Sequence, residues 1–146
     1  MNDTELANST IVATTIGAVA LLVSGWIHFY LYFRGGYRGI APDEALGLTI
    51  SRSFALNAIA ALVIAEALVL ALRYRALLMP AAAGGVGFAI ATLVAYFLSR
   101  TRGLLGFNET ATTTEAVVAL AAETVVLLAL VPVAVTELRA RRRPAR

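Results

Sequence analysis

Residues 54–98 read FALNAIAALVIAEALVLAL, then Arg73-Tyr74-Arg75, then ALLMPAAAGGVGFAIATLVAYFL. Each apolar run is long enough to cross a hydrocarbon layer of ~30 Å as a helix. Only three residues join them. So short a link returns the second run beside the first as an antiparallel helical hairpin. Within lipid each backbone N–H and C=O must be satisfied inside the segment, and a helix does this where an open strand does not.

Two more runs of the same character flank the hairpin. The expected spans cover about 10–33, 54–72, 76–98 and 115–136, joined by loops at 34–53, 73–75 and 99–114. The reading is an all-α integral membrane four-helix bundle, up-down-up-down, in a single domain over 1–146 with 137–146 as a basic tail. The first run is too long for a signal-peptide core, and Asp3 and Glu5 stand where a basic leader would; the expectation is an uncleaved span. Pro42, Asp43 and Glu44 suggest a short interfacial helix in the first long loop. In the second, Thr112 and Glu115 have capping-box spacing.

Composition agrees. Hydrophobic residues make up 60% of the 146 and charged residues 14%, against about 25% charged in ordinary globular domains. A soluble chain of this size has no core large enough for that apolar surface. No cysteine is present, which excludes disulfides, thiolate metal sites and thiol nucleophiles. All 12 basic residues are arginine, and with the abundant alanine this points to a bacterial source. The net charge of +3 comes mostly from the C-terminal arginines and gives no nucleic-acid footprint.

Arginine placement orients the bundle. Arg73, Arg75, Arg139, Arg141, Arg142, Arg143 and Arg146 fall at one end, seven in all, against Arg34, Arg38, Arg52, Arg100 and Arg102, five, at the other. Positive residues favour the cytoplasm, so both termini are expected inside a bacterial plasma membrane. Arg139, Arg141, Arg142 and Arg143 are then anchors at anionic headgroups. Trp26, Phe29, Tyr30, Tyr32, Phe33, Tyr37, Tyr96 and Phe97 gather toward the opposite interface as an aromatic belt.

Four polar residues inside spans need explaining: His28, Asn57, Glu66 and Glu123. An ionisable group in a span costs ~2.5–3.5 kcal/mol on insertion scales and faces a bundle interior or cavity. Each glutamate reads either as a proton-carrying or ligand-binding carboxyl, or as hydrogen-bonding glue between helices. At 1.5 Å per residue from the loop end, Asn57 lies about 6 Å deep, His28 about 8 Å and Glu123 about 12 Å, so the three can meet. Glu66 lies about 20 Å deep, and nine residues from Asn57 point it roughly 180° away, so the two cannot face the same partner and one of them is expected to face another subunit. His28 has its own alternatives: a proton shuttle, a haem ligand, a quinone donor, or a histidine bonded to Glu123 or a backbone carbonyl. No metal site and no resident cofactor are expected; haem or quinone is the minor possibility.

Small residues mark expected helix contacts. Thr14, Gly17, Ser24 and His28 lie within about 80° on the first span. Ala81, Gly84, Gly85, Ala91, Ala95 and Ser99 form one broad face of the third. Such residues let backbones approach closely in lipid. The Gly84-Gly85-Val86-Gly87 run lacks the strand and lysine of a phosphate loop. A faint repeat also shows: residues 58–66, ending in Glu66, resemble 115–123, ending in Glu123, which would make two like-oriented hairpins. Asn108-Glu109-Thr110 has the form of a glycosylation sequon.

Gly25-Trp26-Ile27-His28, Gly36-Tyr37-Arg38-Gly39-Ile40 and Gly106-Phe107-Asn108-Glu109-Thr110 together resemble uncharacterised small four-helix membrane proteins of actinobacteria, over most of the chain. In size and helix count the layout is loosely similar to DoxX-like proteins. The resemblance carries no catalytic residue. The resulting expectation is a non-enzymatic accessory or assembly subunit, in a homo-oligomer or a larger membrane complex. The alternatives are a small proton-coupled transporter using Glu66 and Glu123, and a quinone- or haem-associated redox subunit.

Overall fold

The computed structural model describes residues 3–39 and 48–142, with side chains from residue 7 onward except residue 39. Four helices account for most of it: α1 (Asp3–Phe33), α2 (Ile50–Arg73), α3 (Leu78–Thr101) and α4 (Thr114–Arg142). Short 3₁₀ turns at Tyr37–Gly39 and Arg75–Leu77 follow α1 and precede α3. All four helices are long and apolar enough to cross a membrane, and the described residues contain no strand. This is a multi-pass membrane bundle.

α1, α2 and α4 begin before their expected spans, and α3 begins two residues inside its own and ends three past it; at α2 and α4 a capping threonine sets the start. Thr49 caps α2 by accepting the Arg52 N–H at 3.1 Å, so α2 begins four residues before Phe54. At α4 the cap is Thr113, which accepts the Ala116 N–H at 3.2 Å. That corrects the expected capping box by one residue: Glu115 becomes the second helical residue and cannot reach back to the cap. Three consecutive threonines hide this register in sequence. At its other end α4 continues to Arg142, so Arg139, Arg141 and Arg142 sit on helix rather than in a loose tail. Arg143 and the helix expected at Pro42, Asp43 and Glu44 lie outside the described residues.

The short links make a ring. α1 packs on α2 and α4, α3 packs on the same two, and α1 scarcely touches α3. At the hairpin end, Arg75 donates to the Glu137 carboxylate at 2.7 Å and Arg141 to the Ala76 carbonyl at 3.4 Å. These bonds hold the α2–α3 link against the end of α4. The lower core is hydrocarbon: Leu21, Leu68, Val126 and Leu130 are fully buried.

Leu130 sits where two helices offer no side chain. A Cβ on Gly17 would stand 2.5 Å from Leu130 Cδ2, and one on Gly85 2.5 Å from Leu130 Cδ1. Gly84 and Ala91, expected on the same packing face, are exposed. The buried residues of α3, from Leu78 through Gly85 and Thr92 to Ser99, fall within roughly 60° of Gly85, whereas Gly84 and Ala91 lie about 100° and 120° away. The expected face was too broad. Thr14, Gly17, Ser24 and His28, by contrast, are all buried along α1.

Candidate functional site

Ser24, His28, Thr92, Ser99 and Glu123 are buried toward the loop end of the bundle, whereas buried Thr14 and Glu137 lie toward the other. Ser24 Oγ donates to Glu123 Oε1 at 3.1 Å, joining α1 to α4. One turn above, His28 Nδ1 lies 2.8 Å from the Ser24 carbonyl oxygen. A carbonyl only accepts, so Nδ1 donates and the neutral ring presents Nε2 as a bare acceptor. Ser24, read from sequence as a small packing residue, is therefore the bridge between His28 and Glu123.

Rings stack above this bridge. The His28 and Phe54 centroids are 5.4 Å apart, Phe54 and Tyr37 4.3 Å, and Tyr37 and Phe107 5.5 Å. Tyr37 donates its hydroxyl to Glu109 Oε2 at 2.8 Å, and the Ala111 N–H reaches Glu109 Oε1 at 3.1 Å. Burial pushes the Tyr37 phenol well above its ordinary range, and the hydrogen bond and charge of Glu109 push it the same way.

The loop that brings Glu109 here folds back on α3. Leu104 and Phe107 exchange both backbone hydrogen bonds, at 2.8 and 2.9 Å, around Leu105 (φ 51°) and Gly106 (φ 69°). Two positive φ values in succession give the tight turn that reverses a chain in two residues. The Glu109 N–H then bonds the Ser99 carbonyl at 3.0 Å, and Arg100 bonds the Ala111 carbonyl at 3.0 Å. Little in the sequence signals this apart from Gly103 and Gly106. The sequon reading drew attention to Asn108, whereas it is the adjacent Glu109 that joins the cluster.

Two small cavities, of about 70 and 100 Å³, lie among these groups. His28, Phe54, Thr92, Tyr96 and Glu109 border both; Glu123 borders the first and Asn57 the second. The structure thus brings His28, Asn57 and Glu123 around adjoining spaces, joined by Ser24 and Glu109. Tyr37 and Tyr96 turn toward these spaces, unlike the exposed Trp26, Phe29, Tyr30, Phe33 and Phe97.

The chain matches no family model, no curated protein and no solved structure. Roles therefore come from its own geometry.

Glu66 stands apart from this cluster and is not buried, contrary to the sequence reading. It lies on the outer surface of α2, seven residues from Arg73. Leu62, Val63, Val69 and Leu70 surround it on the helix, and all four are exposed. Among the described residues it has no hydrogen bond or ion pair. The equation of Glu66 with Glu123 in the faint repeat thus pairs an outward carboxyl with one that is 2% exposed. Nor do the cavities beside His28 suit a porphyrin: at about 30 Å³ per water they have room for a few waters. Among the described residues no group of three metal-binding side chains occurs.

Proposed function

We propose that the protein is a non-enzymatic assembly component of a bacterial plasma membrane, with both termini cytoplasmic, that associates with copies of itself through the outer face of α2. One observation carries the reading: the outward carboxyl of Glu66, set about 10 Å inside the Arg73 end of its helix and ringed by apolar residues. Facing lipid alone, that group is costly and too short to reach water. A second copy related by an axis along the membrane normal presents its own Glu66 at the same depth. Two carboxyls sharing a proton then satisfy each other across the seam.

The pattern around Glu66 supports this. Leu56, Ile59, Val63, Glu66 and Leu70 are all exposed and recur at alternating spacings of three and four. That is the seam by which two helices pair at a shallow left-handed angle. A carrier route through Glu66 and Glu123 has less support. Leu21, Leu68, Val126 and Leu130 close the bundle below Glu123, and Glu66 faces away from it.

Because the chain has no cysteine, single cysteines report contacts unambiguously. Oxidation in native membranes is expected to yield disulfide-linked dimers of Val63→Cys and Leu70→Cys, but not of Leu128→Cys on the exposed face of α4. Monomeric mass in native mass spectrometry, together with no dimer from either α2 variant, would overturn the proposal.

A further inference from the structure

Glu123 is 2% exposed and accepts a single hydrogen bond, from Ser24 to Oε1. Its Oε2 has no partner among the described residues, and no arginine borders its cavity. A carboxyl so placed either keeps a proton or stands beside a cation.

The other groups around the cavities favour the cation. His28 is 8% exposed and borders both spaces, with Nδ1 engaged by the Ser24 carbonyl and Nε2 left as an acceptor. Glu109 stands at the rim, bonded only to the neutral donors Tyr37 and Ala111. Tyr96 borders both spaces, and Phe107 the second. Acceptors and π-faces thus border the same spaces and no arginine lines them; Arg100 stands outside, its Cζ 5.9 Å from the Tyr96 centroid and its guanidinium on the Ala111 carbonyl. Hard metal cations prefer a shell of several oxygens. A ring nitrogen beside two carboxylates and aromatic faces suits a cation that carries N–H donors.

We propose that the two cavities form one binding site for a small primary ammonium ion, entered from the loop end past Glu109 and the exposed Thr113. Glu123 supplies the counter-charge, His28 Nε2 accepts from its N–H groups, Glu109 adds negative charge at the entrance, and Phe54 and Tyr96 border its carbon. The spaces of about 70 and 100 Å³ limit the ligand to a few heavy atoms with some water. This inference is independent of self-association, because Glu66 lies on the outside of the bundle.

Radiolabelled methylammonium is the probe, with binding to the full chain in lipid nanodiscs measured by scintillation proximity. Saturable binding is expected, displaced by ammonium chloride and much less by sodium or tetramethylammonium chloride. Glu123→Gln is expected to weaken it at least about tenfold. Glu109→Gln, in a surface loop where folding is not at stake, is expected to do the same while keeping both hydrogen-bond partners. No saturable binding overturns the proposal and leaves Glu123 as a proton-bearing carboxyl. Equal competition by tetramethylammonium, or unchanged affinity in both variants, overturns it as well.

Discussion

Tyr37 illustrates how a residue's environment becomes a measurable property. Its phenol is raised first by burial and then by Glu109, so the folded protein holds the proton at a pH where the unfolded chain has lost it. The linkage sign follows: above about pH 10, the ordinary tyrosine value, the unfolded state binds fewer protons and folded stability declines as pH rises. Below that value the contribution is constant. In an alkaline titration followed by phenolate absorbance, the difference between wild type and Tyr37→Phe isolates one ionisation, expected well above the ordinary range. An ionisation near 10 in that difference would contradict the Tyr37–Glu109 contact. Of the residues concerned, His28, Asn57 and Glu123 could be brought near one another by counting depth along antiparallel helices. Glu109 could not, because its position depends on the positive φ of Leu105 and on a loop that bonds back to Ser99. No periodicity encodes either.

At the scale of the helix, the two adjacent positions Gly84 and Gly85 make opposite demands. Gly85 and Gly17 together accommodate Leu130, and an added Cβ at either would meet it at 2.5 Å. At Gly84 the nearest atom to an added Cβ is Ile64 Cγ1, at 3.9 Å. Gly17→Ala should therefore lower stability by about 1–3 kcal/mol through overpacking, whereas Gly84→Ala should raise it by about 0.5–1 kcal/mol through the helix preference of alanine. Unfolding midpoints in mixed micelles measure both. A shorter residue at Leu130 should restore much of what Gly17→Ala loses, since the two positions share one contact. Equal effects at Gly17 and Gly84 would mean that Leu130 does not lie between α1 and α3. From sequence, four helices and their order were readable in run length and loop length alone. The packed side of α3 was less so, because alanine and glycine occupy every face of it. Small residues mark where close approach is permitted, and the neighbours decide where it happens.

For the whole molecule, the proposed orientation rests on a narrow charge difference. Seven arginines lie at the hairpin-and-tail end and five at the loop end. The structure adds that Arg75 is tied to Glu137 and Arg141 to the Ala76 carbonyl, which joins the hairpin to the end of α4. Orientation responds to basic residues in short loops and tails near the spans, and acidic partners offset little of it. Replacing Arg139, Arg141, Arg142 and Arg143 by alanine leaves three arginines against five and reverses the bias. Glu137 and its partner Arg75 are untouched, so the packing of the α4 end is preserved. Single cysteines at Tyr74 and Thr112 then report the sides, labelled in intact cells by a membrane-impermeant maleimide. In the wild-type background Thr112→Cys is expected to label and Tyr74→Cys to stay protected. In the four-alanine background a substantial fraction should label at Tyr74→Cys instead. If labelling is unchanged there, orientation is set by something other than the arginine margin. If Tyr74→Cys labels already in the wild-type background, the termini face outward and the ammonium site opens to the cytoplasm.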